Sequence, residues 1–123
     1  MKTVFTKDAP VPIGPYSQGV IANGTLYCSG QIPIDPKTGD LAGGDVSEQT
    51  GQICENIAAV LSAAGLGFAN VVKTTCFLAD MKDFAQFNAV YERYFVSKPA
   101  RSCVAVKQLP KGALVEVEVM AVP

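Results

Sequence analysis

The stretch LVEVEVMAV, Leu114 to Val122, alternates residue by residue, and its reading decides the fold. In an extended chain, successive side chains point to opposite faces. Val115, Val117, Val119 and Ala121 therefore share one face, and Leu114, Glu116, Glu118 and Met120 share the other. Such a strand belongs to a sheet with one face on a core and the other of a different character. The glutamates admit two readings. Periodicity alone favours a solvated strand face, and the alternative is a carboxylate placed to move a proton.

Upstream, KQLPKGA joins this strand to KPARSCVAV, Lys98 to Val106. Ser102–Val106 reads as a buried strand. Arg101, one of only two arginines in 123 residues, sits at its mouth just past Pro99. Burying a guanidinium costs several kcal/mol unless something anionic meets it. A structural ion pair with a neighbouring glutamate would serve, and so would an anionic ligand.

Further out, SQGVIANGTLYCSG (17–30) is a hairpin. Asn23-Gly24 tolerates positive φ between two apolar runs, giving strands over Ser17–Ala22 and Thr25–Gly30. Lys2–Thr6 is a short strand. The prolines at 10, 12 and 15 hold the next segment as an extended loop that presents Tyr16. IPIDPKTGDLAGG is a turn-rich surface excursion. A helix begins at the N-cap Asp45, with Glu48 at capping-box spacing. It runs on the stripe Ile53, Ile57, Val60, Leu61 and Ala64, and Gly65 ends it. Val71–Leu78 is a β-branched strand. Asp80 caps a second helix with Asp83 in its first turn, whose Phe84, Phe87, Tyr91, Tyr94 and Phe95 face the core.

The order β-β-β-α-β-α-β-β predicts an α+β sandwich, a mixed sheet with both helices on one face, in a single domain over residues 1–123. The second sheet face is then uncovered. Charged residues make up 17%, against about 25% in typical soluble domains, so a homo-oligomer hiding that face is the expectation.

The net charge of −1 and the lack of a basic run argue against nucleic acid as a partner. The uncharged stretch 56–72 is interrupted by Ser62, Gly65, Gly67 and Asn70, so no membrane span is predicted, and no secretory signal or transit peptide is visible. Cys28, Cys54, Cys76 and Cys103 lack CxxC pairing and lie in apolar patterns. They read as reduced, buried residues of a cytoplasmic protein; a mitochondrial location in a eukaryote stays open. With no histidine, Ser-His-Asp triads, Cys-His dyads and His-based metal sites are excluded.

Polar residues that break an apolar pattern mark candidate sites. They are Arg101, Glu116, Glu118 and Asn88, the last on the stripe with Phe84, Tyr91 and Phe95. Tyr16 and Cys103 join them, Cys103 because it shares a strand face with Arg101. Packing or backbone satisfaction is the commoner role of an Asn, a Tyr or a Cys placed as Asn88, Tyr16 and Cys103 are. Together these groups suggest a small anionic ligand: the guanidinium grips a carboxylate bidentately and a glutamate moves a proton or orients water.

The motifs IGPYSQGV, LYCSGQIPIDPKTG, VVKTTCFLADMKDFAQFNAVYERYF and KPARSCVAVKQLPKGALVEVEVMAV resemble the RidA/YjgF family, also labelled endoribonuclease L-PSP or translation inhibitor. The resemblance covers nearly the whole chain. It implies a chorismate-mutase-like homotrimer whose sheets line a central barrel, with a cleft at each subunit interface. It also implies hydrolysis of 2-aminoacrylate/2-iminopropanoate and 2-iminobutanoate to 2-keto acids and ammonia, with no metal and no organic cofactor.

By motif, Arg101 resembles the arginine that binds the substrate carboxylate, and Cys103 the cysteine whose backbone contacts the ligand. Glu116 resembles the glutamate that positions or protonates the attacking water, and Tyr16 the tyrosine that closes over the substrate. Ser29 and Gly30 resemble the wall beside the imine, and Asn88 falls near the cleft. The short FVSKPARS connection departs from members with a longer loop and bears on the rim. Two other functions stay open under the same resemblance: a ribonuclease or translation inhibitor, and a non-catalytic metabolite-binding or chaperone-like trimer.

Overall fold

A computed structural model describes all residues, Met1–Pro123. The strands are β1 Lys2–Val4, β2 Gly19–Ala22, β3 Thr25–Cys28, β4 Val71–Leu78, β5 Ala100–Ala105 and β6 Val115–Ala121. The helices are α1 Val46–Ala63 and α2 Phe84–Tyr94. One six-stranded sheet runs in the order β1-β2-β3-β6-β4-β5. Neighbours are antiparallel except β4 and β5, so the sheet is mixed as expected.

Local chemistry sets most boundaries. Asn23 and Gly24 have φ of 50° and 78°, and the hairpin pairs Ala22 with Thr25 through Gly19 with Cys28. Its strands are shorter than predicted because the chain leaves β3 after Cys28, and Gln31 exchanges both backbone hydrogen bonds with Val117 instead. β1 likewise stops at Val4, since the Gln18 side chain takes both backbone groups of Thr6.

Asp45 Oδ1 accepts from Glu48 N at 3.1 Å and starts α1. At the other end Gly65, with φ 74°, donates to Ser62 O, while Leu66 donates to Leu61 O. This crossed pair satisfies the last carbonyls and needs a left-handed residue at Gly65. Asp80 caps a 3₁₀ turn over Met81–Asp83 rather than α2 itself, which begins one turn later at Phe84.

The alternation in β6 holds. Val115, Val117, Val119 and Ala121 are buried against the helices with Ile53, Ile57, Leu61 and Phe87. Glu116, Glu118 and Met120 stay partly or fully open on the other face. At about 0.8 kcal/mol per buried CH₂, the apolar face of β6 and the stripe of α1 provide the main drive for folding.

One expectation needs correction. β5 reads in sequence as a buried strand, yet it is an edge of the sheet, bonded only to β4, and Val104 is 47% exposed. Apolar side chains on an edge strand have a neighbour on one side only, and here the open face gives them no lid. Arg101 lies inside this strand rather than at its mouth, and Cys103 is half-buried while the other three cysteines are buried. No helix is long and apolar enough to cross a membrane.

Candidate functional site

The predicted site residues fall into two clefts. The first, about 860 Å³, lies between α2 and β5 and includes Phe84, Asn88, Tyr91, Pro99 and Arg101. In the β4–β5 ladder Arg101 stands beside Thr74, a residue buried beneath α2, so its side chain rises on the helix side. There Arg101 Nη1 donates to Asn88 Oδ1 at 2.7 Å. The guanidinium carbon lies 4.7 Å from the Tyr91 ring centre and 5.5 Å from that of Phe84.

No carboxylate meets Arg101; the one ion pair of the chain joins Lys82 to Asp80 at 3.9 Å. A guanidinium carries five donors in a fixed fork. One is committed to a neutral amide oxygen, and the charge is left uncompensated within the chain. Cys103 follows two residues later on the same face. Burial pushes its thiol up from the usual range, partly offset by the charge of Arg101, so it stays protonated near neutrality.

The second cleft, about 540 Å³, lies toward the open face and includes Tyr16, Ser29, Gly30, Lys111, Glu116 and Glu118. Its walls are tied together by Gln18, a buried residue that sequence reasoning passed over. Gln18 Nε2 donates to the Thr6 and Pro10 carbonyls, each at 2.9 Å, and Oε1 accepts from Thr6 N at 2.7 Å. That network fixes the proline loop and places Tyr16 at the rim. Ser29 Oγ donates to Ser17 O at 2.5 Å, so its hydroxyl holds the same loop. A Cβ on Gly30 would stand 3.0 Å from Glu116 Cδ and 3.3 Å from Cγ, against the carboxylate itself. Glycine is therefore what lets Glu116 lie along this wall.

Burial first, and the neighbouring Glu118 second, raise Glu116 above the ordinary 4.5 of a glutamate. The folded chain thus binds this proton more tightly than the unfolded one. The stability Glu116 contributes is present below the unfolded value and is lost as pH rises through the folded one. Glu118→Gln removes the second cause and should bring the Glu116 midpoint down, as read by carboxyl ¹³C NMR. An unmoved midpoint would assign the whole shift to burial. Glu116→Gln should abolish the associated fall in stability between acid and neutral pH in denaturant titrations.

The two clefts do not meet within one chain. On β4, Arg101 is opposite Thr74 and Glu116 is opposite Phe77. Those β4 positions are an odd number apart, so the two side chains lie on opposite faces of the sheet. The structural ion pair between Arg101 and Glu116 that the sequence allows is not formed. Tyr16, Ser29, Gly30 and Glu116 are brought together, as are Asn88 and Arg101, with Cys103 beside them. Phe84 and Tyr91 read in sequence as core residues, and their role as the aromatic seat of Arg101 carries no separate sequence signal.

A sheet backed by two helices, with a guanidinium cleft on one side and a carboxyl–tyrosine cleft on the other, makes this a small α+β protein with two candidate clefts. Comparison with known proteins makes the assignment specific. The model of the endoribonuclease L-PSP family matches residues 6–123. The RutC family protein PH0854 of Pyrococcus horikoshii is 53% identical over 98% of this chain and 96% of its own. A 2-iminobutanoate/2-iminopropanoate deaminase of Salmonella typhimurium is 50% identical over 98% and 97%. The crystal structure of E. coli TdcF with bound serine superposes with a TM-score of 0.95 at 42% identity, covering 100% of this chain and 99% of that one. The chain belongs to the RidA/YjgF family, the endoribonuclease L-PSP family of the matching model.

Proposed function

We propose that this protein hydrolyses reactive 2-imino acids and their enamine tautomers, 2-iminopropanoate/2-aminoacrylate and 2-iminobutanoate, to 2-keto acids and ammonia. The observation that carries this reading is the division of the site. A guanidinium with its fork uncompensated lies on one face, and a glutamate held above its ordinary range, beside Tyr16, lies on the other. The site is complete when the Arg101 cleft of one copy meets the Glu116 cleft of the next. Head-to-tail contacts of that kind close into a ring, and the ring we propose is a homotrimer. The open sheet face, with Tyr27 and Val104 exposed on it, is the surface such a ring would cover. The deaminase name of the Salmonella relative and the serine bound to TdcF support a small amino-acid-like ligand. Three buried free thiols suit a reducing, cytoplasmic setting.

In this reading Arg101 forks the substrate carboxylate, with Asn88 fixing the plane of the guanidinium. Glu116 takes a proton from water as the water oxygen bonds to C2 and the C=N π pair moves to nitrogen. The same proton then passes to that nitrogen. The hydroxyl proton passes by way of Glu116 to the same nitrogen as the C–N bond breaks, so that ammonia leaves and the C2 carbonyl forms. An elevated Glu116 suits both halves of this transfer, since catalysis is best when the acid and base forms lie near the working pH. Tyr16 covers the ligand, while the Ser29–Gly30 wall holds Glu116 in line. No metal or organic cofactor enters these steps.

The direct test generates 2-aminoacrylate with a pyridoxal-phosphate serine dehydratase and follows its decay with semicarbazide as trap. The purified protein should accelerate formation of the keto acid at the expense of the trapped adduct. No acceleration would overturn the deaminase reading in favour of a binding module. Gly30→Ala adds a sharper check. Its methyl meets the movable end of a side chain, so melting should shift by only a few degrees. The displaced carboxyl should cost the reaction on the order of a hundredfold. Full activity in Gly30→Ala would show that the position of Glu116 is immaterial.

A further inference from the structure

Arg101 is a long side chain in an open cleft with no anion to hold it. Such a side chain carries about 2 kcal/mol of rotamer entropy that must be lost when it grips a ligand. Here much of that freedom is already gone. The guanidinium lies 4.7 Å from the Tyr91 ring centre while Nη1 is bonded to Asn88. The Tyr91 ring is itself immobilised. Its hydroxyl shares a buried 2.8 Å hydrogen bond with Thr74 Oγ1, and the ring stacks on Phe95 at 4.2 Å and 17°. Thr74 in turn is the β4 residue in register with Arg101 on β5. The three residues thus close a triangle across three elements. The ladder joins Thr74 to Arg101, a hydrogen bond joins Thr74 to Tyr91, and the ring supports the guanidinium.

We infer that Thr74 and Tyr91 are positioning residues that set the guanidinium of Arg101 for a carboxylate before any ligand arrives. This rests on the reading above in which Arg101 binds the substrate carboxylate. A Thr–Tyr hydrogen bond placed only for core stability could sit anywhere along β4. It sits instead at the one β4 position in register with the arginine. Thr74 is fully buried, and apart from Tyr91 its Oγ1 meets only the weak donor Cys76 Sγ at 3.8 Å. The triangle costs nothing in unsatisfied groups while it removes motion from Arg101.

The experiment measures three quantities in the intact protein: the order parameter of the Arg101 Nε–Hε bond by ¹⁵N relaxation, the dissociation constant for 2-oxobutanoate, and the division of any kinetic loss between KM and kcat. Tyr91→Leu removes the aromatic seat, and KM and the 2-oxobutanoate dissociation constant should rise on the order of tenfold. Tyr91→Phe keeps the ring but frees it, as does Thr74→Val; each should lower the Arg101 order parameter and raise KM a few-fold, with kcat nearly unchanged. Thr74→Ser retains the hydroxyl and should restore both readings. If Tyr91→Leu fails to fold, Tyr91→Phe and the Thr74 pair decide alone. An Arg101 order parameter and a KM unmoved in Tyr91→Phe and Thr74→Val would overturn the inference. Failure of the underlying reading would look different: Arg101→Ala itself would leave 2-oxobutanoate binding intact, whatever the relaxation data say of Tyr91.

Discussion

Arg101→Ala is expected to lower kcat/KM for 2-iminobutanoate on the order of a hundredfold to a thousandfold, and to abolish measurable binding of 2-oxobutanoate. The scale follows from geometry. Truncating one member of a hydrogen-bonded charge pair that is buried on binding costs about 2 to 5 kcal/mol, because the other charge is left desolvated and alone. In this chain Arg101 makes no ion pair of its own, so its removal breaks no folded-state salt bridge. What the fold loses is the bond to Asn88 and the stack on Tyr91, and melting should change little. Arg101→Lys should recover only a small part of the activity, since an ammonium keeps the charge but cannot present a planar fork to a carboxylate. Substrate turnover and protein melting, measured side by side, separate these effects. Retention of full turnover in Arg101→Ala would remove the carboxylate grip from the mechanism.

Glu116→Gln is the second large loss, and it should fall on kcat. The amide is nearly isosteric and fits against Gly30 as the carboxyl does, so binding of 2-oxobutanoate should survive. Proton transfer by a placed group contributes about 10²- to 10⁴-fold, and that factor should vanish from the rate along with the pH dependence Glu116 imposes. Unchanged turnover in Glu116→Gln, with turnover still lost in Arg101→Ala, would leave a site that binds and positions without acid–base help. Ligand binding lost in Arg101→Ala, with no catalysis in the native protein at all, would describe a sensor rather than an enzyme.

The features legible in the sequence are those whose causes are local. Asn23-Gly24 states its own turn, Asp45 and Gly65 mark the ends of α1, and the alternation of β6 names its buried face. The uncovered face followed from counting helices against sheet faces. The edge position of β5 was not legible. Cys103, Val104 and Ala105 look the same whether a strand has one neighbour or two, and only the order β6-β4-β5 decides. The candidate site was legible as a set of residues to look for and illegible as an arrangement. Whether Arg101 and Glu116 share a face depends on how β5 and β6 are each registered on β4, a relation that no stretch of sequence contains. The odd offset between Thr74 and Phe77 separates them, and it turns one expected pocket into two clefts.

That separation makes the central claim, a site built from two copies, open to a single measurement. Co-expressing Arg101→Ala with Glu116→Gln at equal levels, and isolating the mixed assemblies through two different affinity tags, yields oligomers in which some interfaces join an intact arginine to an intact glutamate. In a three-membered ring every mixed assembly has about one interface in three intact, so about a third of native activity should return from two nearly inactive parents. Activity that stays at the level of the parents in verified mixed assemblies would place both residues in one chain's site and contradict the account.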